Sequence, residues 1–160
     1  MIKNTKGEVY VLVCVFMLII ITTFSVVLTF SSVVTMINLQ KENTEVVFDS
    51  FIAKNSIVIF NNIKQGKNAI DGVDSDEFYT SLKTFCTLDE QNGKLYSIDE
   101  NGDEKYKMTI PQIGFTSEGH LELFMTYIQY VPIKFGGVTV ATARVPIKIT
   151  SALQSKINGG

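Results

Sequence analysis

Val9-Tyr-Val-Leu-Val-Cys-Val-Phe-Met-Leu-Ile-Ile-Ile-Thr-Thr-Phe24 opens an apolar run that continues to Asn38, and its reading decides the fold. No charged residue stands between Glu8 and Lys41. Such a run is too long for a core element of a soluble domain. A hydrocarbon core of ~30 Å takes about 20 helical residues, so the run offers roughly ten more than a straight crossing uses. A helix of that length must tilt or project from the bilayer. Its β-branched bias reads as strand in water. In lipid a lone open strand leaves its backbone groups unsatisfied, so helix is the conformation that remains. A secretory signal peptide competes for the same residues, because Lys3 and Lys6 form a short basic region. Its apolar part would span only about 7–15 residues, and an Ala-x-Ala-like site would follow. Neither holds here, so the run is read as an anchor that stays in the mature chain.

Charge sets the orientation. Lys3 and Lys6 precede the span, and Lys41 follows it beside Glu42 and Glu45. The positive-inside rule places the N-terminus in the cytoplasm and the rest outside the cell, as a single-pass protein of the cell membrane.

The helix does not stop at the membrane. Between Gly7 and Gly66 there is neither Gly nor Pro, the two strongest helix breakers. Phe48, Ile52, Ile59 and Ile63, flanked by Val47, Phe51 and Val58, recur at spacings of 3, 4 and 7. That is one helix face. Glu42, Glu45, Asp49, Lys54 and Asn61 belong to the other side. One helix from residue 9 to about residue 65 would be roughly 85 Å long. Phe48, Phe51, Ile52, Ile59 and Ile63 are the residues expected to carry it into the core of a folded head.

Beyond residue 66 the pattern changes. Asp74 and Glu77 form a capping box for a short helix to about Leu88, with Phe78, Leu82 and Phe85 on its apolar face. Then the period becomes two. Asn92-Gly93 is a turn before a strand at residues 95–99. Asn101-Gly102 reads as the stronger, type I′ turn, joining that strand to residues 104–110. Residues 121–131 alternate, and Gly136-Gly137 links them to residues 138–150. Pro146 cannot donate to a ladder, so its strand lies at an edge or carries a bulge. The expected fold is α+β: a long N-terminal transmembrane helix extending into a small antiparallel β-sheet head of about four strands. The chain divides into a basic leader (1–8), a transmembrane helix (9–40), its amphipathic extension (41–65) and a β-rich extracellular head (66–160). The second half of the long helix is expected to complete the small head's core.

Chemistry is sparse. The 160 residues carry a net charge of -2, and beyond residue 40 there are 12 basic and 15 acidic groups. Nothing in that balance suits nucleic acid. His120 is alone, and Glu118-Gly-His120 reads as a turn; no metal is expected there. The 99–103 segment Asp-Glu-Asn-Gly-Asp lacks the glycine and glutamate spacing of an EF-hand and is better explained as a hairpin turn. Asp71, Asp74, Asp76 and Glu77 form a second acidic group, weighed as a weak calcium site and set aside. Cys14 falls in the span and Cys86 in the head, too far apart to pair. With no nucleophile motif and no phosphate loop, no enzyme activity, catalytic residue or cofactor is expected. Thr22, Ser25, Thr29 and Ser32 follow one another at spacings of 3, 4 and 3, on one helix face. Small hydroxyl residues let membrane helices approach closely. The alternative is that each hydroxyl bonds its own helix one turn back.

A short basic leader, then Lys6-Gly7-Glu8, then a long apolar helix running into a β-rich head resembles a type IV pilin-like subunit. Within that group it is most similar to the TadE-like minor pilins of the Tad pilus. The resemblance rests on residues 1–65 and on the layout of the rest. It implies cleavage by a prepilin peptidase between Gly7 and Glu8. It also implies packing of the freed helix with other pilin-like subunits or assembly-platform proteins. The family carries Glu at the fifth position after the cut, where this chain has Leu12. The expected function is a membrane-anchored structural subunit, a minor or initiating component of an extracellular pilus or its assembly machinery. The alternative is a stand-alone, single-pass membrane-anchored extracellular binding module.

Overall fold

A computed structural model of the chain describes residues 5–116 and 122–152. Its first element is one unbroken helix, α1 (Thr5–Lys64), 60 residues long. At 1.5 Å per residue that is about 90 Å. The helix already includes residues 5–8 of the leader, so leader and span share one element. It ends where Gly66 adopts a left-handed φ of 67°. Gly66 N–H donates to Ile63 O (3.0 Å) and Lys67 N–H to Asn62 O (2.9 Å), the paired bonds of a Schellman ending. The Asn62 side chain then donates to Ala69 O (3.2 Å) and Asp71 O (2.7 Å), folding the following loop back onto the helix.

Helix α2 (Ser75–Cys86) starts at Asp74, whose carboxylate accepts from Asp76 N–H (2.9 Å) and Glu77 N–H (3.4 Å). The Glu77 carboxylate pairs with Lys54 on α1 rather than reaching back to the cap. The chain leaves α2 through Thr87 at a φ of 51°. This early ending corrects two expectations. The helix stops at Cys86, not Leu88, and its buried side chains are Phe78, Leu82 and Cys86. Phe85 sits at the margin of that face and is 56% exposed.

Six strands follow: β1 (Asp89–Gln91), β2 (Lys94–Ile98), β3 (Glu104–Thr109), β4 (Gln112–Thr116), β5 (Glu122–Phe135) and β6 (Val138–Ala152). All pairings are antiparallel. In the sheet β5 is flanked on one side by β3 and β4 in tandem and on the other by β6. Between Met108↔Gln129 and Gln112↔Thr126 the register slips by one residue. Buried Pro111 sits in that slip, and the Ile128 N–H is taken by the Thr109 hydroxyl (3.0 Å). β6 lies at the sheet's edge, where Pro146 can be accommodated opposite Ile128.

Two strands escaped the sequence reading. β1 is three exposed polar residues with no apolar alternation. β4 contains Gly114 and follows a proline, both poor strand signals. Gly114 is needed because Phe124, its cross-strand partner, lies over it; a Cβ there would run into the ring. The turns also differ from expectation. Asn92 and Gly93 both have positive φ, 51° and 70°, and make the tight two-residue hairpin. Asn101 does not; residues 99–103 form a wider loop, closed by Gly102 N–H to Asp99 O (3.0 Å) with Gly102 alone in the left-handed region. The expected turn at Glu118-Gly-His120 lies outside the described residues.

One face of the sheet lies against α1, which meets β5 above all. From α1 come Val47, Phe48, Phe51, Ile52 and Ile59, all buried, with Ile63 partly so. Phe78 of α2 packs between Phe48 and Phe51, with ring centroids 6.2 and 5.2 Å away. Leu123, Met125, Tyr127 and Val131 of β5 and Ile147 and Ile149 of β6 complete the layer. Replacing fully buried Ile59 by Ala is expected to cost about 2–5 kcal/mol. Ile57→Ala, on the exposed side of the same helix, is expected to cost under about 0.5 kcal/mol. Denaturation of the detergent-solubilised chain followed by tyrosine fluorescence checks both. Equal losses would show that this stretch of α1 has no core face.

Candidate membrane interface and buried polar seam

The lower half of α1 is bare. From Val9 to Phe30 its large apolar side chains are exposed. The helix is long and apolar enough to cross a membrane, and its most apolar window is entirely uncovered by the rest of the protein. The head does not begin at Lys41. Val33, Met36 and Ile37 already pack against the core, and Gln40 is buried. The uncovered stretch, residues 9–28, is therefore about 30 Å long. That matches the thickness of one bilayer core. Above it the head covers Val33, Met36 and Ile37, while Phe30 and Leu39 stay exposed.

The four small hydroxyl residues meet different surroundings. Thr22 donates to Leu18 O (2.7 Å) and Thr29 to Ser25 O (2.9 Å), so both bond their own helix. Thr29 and Ser32 then line a groove of about 410 Å³ against the lower edge of the sheet, with Lys105, Val131 and Lys134 opposite. Thr22 lies below it on the bare stretch. Gly7 and Glu8 fall in the first turns of α1. A side chain added at Gly7 would meet nothing within 4 Å. Leu12 is exposed like its neighbours.

Where α1 crosses the sheet, the core turns polar, which sequence reasoning missed. Gln40 and Thr44 of α1 are buried, as are Ser97 of β2 and Gln129 of β5. Tyr106 donates to Gln40 Oε1 (2.6 Å), and the Thr44 hydroxyl donates to Gln40 O (2.8 Å). The Tyr127 hydroxyl faces Thr44 but makes no hydrogen bond with it. Both ends of the Gln129 amide are likewise without a partner. The signal available was an interrupted alternation: Gln129 falls in phase with Met125, Tyr127 and Val131. Burial pushes the Tyr127 phenol up to about 12 and the Tyr106 phenol higher still. It raises the Cys86 thiol too, against opposing hydrogen bonds from Gln40 and Thr44. Both cysteines are free, Cys14 exposed on the bare helix and Cys86 buried.

Three of the acidic groups hold local structure. Asp74 caps α2 and Glu77 pairs with Lys54. The Asp99 carboxylate accepts from Asp103 N–H and Asn101 N–H, both at 2.9 Å, which lowers its pKa. Among the described residues no three His, Cys, Asp or Glu side chains gather as a metal site. His120 lies outside the described residues. No family model, curated protein or solved structure matches the chain.

Gln129→Met keeps the volume and removes the unpartnered amide. It is expected to raise the stability of the head by about 1–3 kcal/mol. Equilibrium denaturation against the parent tests this, and a loss of stability would mean that the amide is bonded in solution. The buried phenols carry a pH dependence of definite sign. The unfolded chain releases these protons near the ordinary value of 10.0, and the folded chain holds them to about 12 or beyond. Stability is therefore full below pH 10.0 and falls as pH rises from there. Thermal midpoints measured from neutral to strongly alkaline pH should fall less steeply for Tyr127→Phe than for the parent.

Proposed function

We propose that the chain is a single-pass, membrane-anchored, pilin-like structural subunit, a minor or initiating component of an extracellular pilus or of its assembly machinery. In this reading the N-terminus is cytoplasmic and the head lies outside the cell. The observation that carries the reading is α1 itself. One continuous helix supplies a bare apolar half about one bilayer long and, without a break, the central face of the head's core.

A second feature suits assembly through the helix. The side of α1 turned away from the head is not simply polar. Leu39, Val46, Ile57 and Phe60 are exposed there, above the bare segment. With Ala53 they follow one another at intervals of 7, 7, 4 and 3, which aligns them along the helix. An aligned apolar strip on an exposed helix is what another subunit's helix would cover. The partners in this reading are the membrane, other pilin-like subunits and assembly-platform proteins, with a prepilin peptidase acting at Gly7–Glu8.

The alternative, a stand-alone anchored binding module, has one observation in its favour. On the sheet face opposite α1, Lys148 lies over Phe124 (4.9 Å), Lys94 over Tyr130 (5.2 Å) and Lys107 over Tyr96 (5.7 Å). Such a face of alternating cations and rings would suit a ligand.

Intact-mass measurement of the protein from its native membrane separates the two. The pilin-like reading expects a chain lacking residues 1–7, with cleavage abolished in Gly7→Phe. Open space around Gly7 means that this substitution leaves the fold alone. A mature chain that begins at Met1 or Ile2 would favour the binding module.

A further inference from the structure

The β5–β6 hairpin ends in an unusual tip. Residues 131–143 read Val-Pro-Ile-Lys-Phe-Gly-Gly-Val-Thr-Val-Ala-Thr-Ala, with Lys134 as the one charge. Hairpin ends facing water are normally polar. Here Val138 is 67% exposed, Val140 62% and Phe135 37%. Gly136 and Gly137, both at positive φ, make the tight turn between them. Between Ile133 and Lys134 the β5–β6 register shifts, so Val140 has no cross-strand partner.

The tip points along α1 toward its bare half. Tyr127 of β5 faces Thr44. Further down β5, Val131, Pro132 and Lys134 face Leu28 and Met36 across the groove. Phe135 lies about 26 Å beyond Tyr127 at ~3.3 Å per residue. The same distance down α1 is about 17 residues, which is level with residue 27. The exposed valines are therefore at the height where the uncovered apolar helix begins. The two apolar surfaces are continuous in height on either side of the groove.

We infer that this tip is a second membrane contact, inserting Phe135, Val138 and Val140 into the headgroup–acyl boundary of the outer leaflet. The inference rests on the reading of residues 9–28 as the membrane span. Insertion here is apolar rather than electrostatic. Lys134 is already paired with Asp103 (3.7 Å) and Lys107 with Glu104 (3.2 Å). Lys105, in the same groove, is offset by Asp99 and Glu100 of the adjoining loop, so the lower end of the head has no excess of positive charge for anionic lipid. The occupant is a zwitterionic phospholipid surface, and anionic lipid is not expected to strengthen the contact. With the span on one side of the groove and the tip on the other, the head is held at two points and its tilt against the membrane is fixed.

The chain has no tryptophan, so single introduced tryptophans report their own surroundings. Full-length Val138→Trp, Val140→Trp, Phe16→Trp and Gln65→Trp are reconstituted in phosphatidylcholine vesicles, with and without lipid brominated near the head of one acyl chain. Phe16 lies within the span, and Gln65 is at the far end of α1. Val138→Trp and Val140→Trp should emit to the blue of Gln65→Trp and lose most of their intensity to brominated lipid. They should do so equally when part of the phosphatidylcholine is replaced by phosphatidylglycerol. Gln65→Trp should not be quenched. Quenching of Phe16→Trp with none at either valine position overturns the tip contact and leaves the span standing. No quenching of Phe16→Trp overturns the span, and the tip contact with it. Blue-shifted but unquenched emission at residues 138 and 140, lost on dilution of protein in lipid, overturns the proposal by showing that a second copy covers the tip.

Discussion

The contact between the upper half of α1 and the inner face of the sheet is the one on which everything else depends. The sheet buries one face only, and α2 is three turns long. Neither could enclose Phe78, Met108, Leu123 and Met125 without Phe48, Phe51, Ile52 and Ile59 laid across them. Each of these α1 side chains contributes on the order of 2 kcal/mol by burial. Together they amount to a large fraction of what a domain of this size has in hand. The head is thus not a domain attached to a separate apolar helix. It is a fold in which the continuation of that helix is the central core element.

That arrangement explains why the lower edge of the sheet descends as far as it does. Once α1 is committed as a straight rod, β5 and β6 can extend along it, and their length determines how much of the apolar run is covered. Val33, Met36 and Ile37 are apolar for the head's sake, whereas residues below Leu28 are apolar with nothing from the protein upon them. The one sequence-level run of uncharged residues is therefore two physical surfaces joined end to end. The polar seam of Gln40, Thr44, Tyr106, Tyr127 and Gln129 lies just above the join, in a place where aliphatic packing would have been simpler. Tyr106 and Gln40 satisfy each other there, while Tyr127 and Gln129 do not find partners.

Much of this was legible from the residues. The absence of Gly and Pro from residue 8 to residue 65 dictates one helix, and the spacing of Phe48, Ile52 and Ile59 dictates which side faces the head. The Asp74 cap, the Gly136-Gly137 turn and the edge position of Pro146 are local chemistry, so they too could be read directly. What was not legible depended on distant neighbours. β4 follows a proline and includes a glycine whose purpose appears only once Phe124 lies over it. Phe85 keeps helical phase with Phe78 but lies at the margin of the buried face, where neither α1 nor the sheet covers it. The turn at Asn101-Gly102 looked stronger than that at Asn92-Gly93, yet strand register decided otherwise. The hydroxyl stripe is regular in sequence, but where Thr29 and Ser32 face depends on how far the sheet descends. The chemistry that would distinguish a filament subunit from a binding module was never in the periodicity at all.

The long hairpin and the long helix also have a mechanical meaning. β5 and β6 run lengthwise beside α1, paired from Glu122↔Ala152 to Phe135↔Val138. A pull on the head directed away from the bare half of α1 would act along the strands. Their hydrogen bonds would then be loaded in shear, many at once, rather than opened one after another like a zip. Below them the load passes into a helix with no glycine or proline between residues 8 and 65, and so reaches its bare apolar half without a compliant joint in between. A protein built this way resists tension along one axis and yields more readily to forces across it.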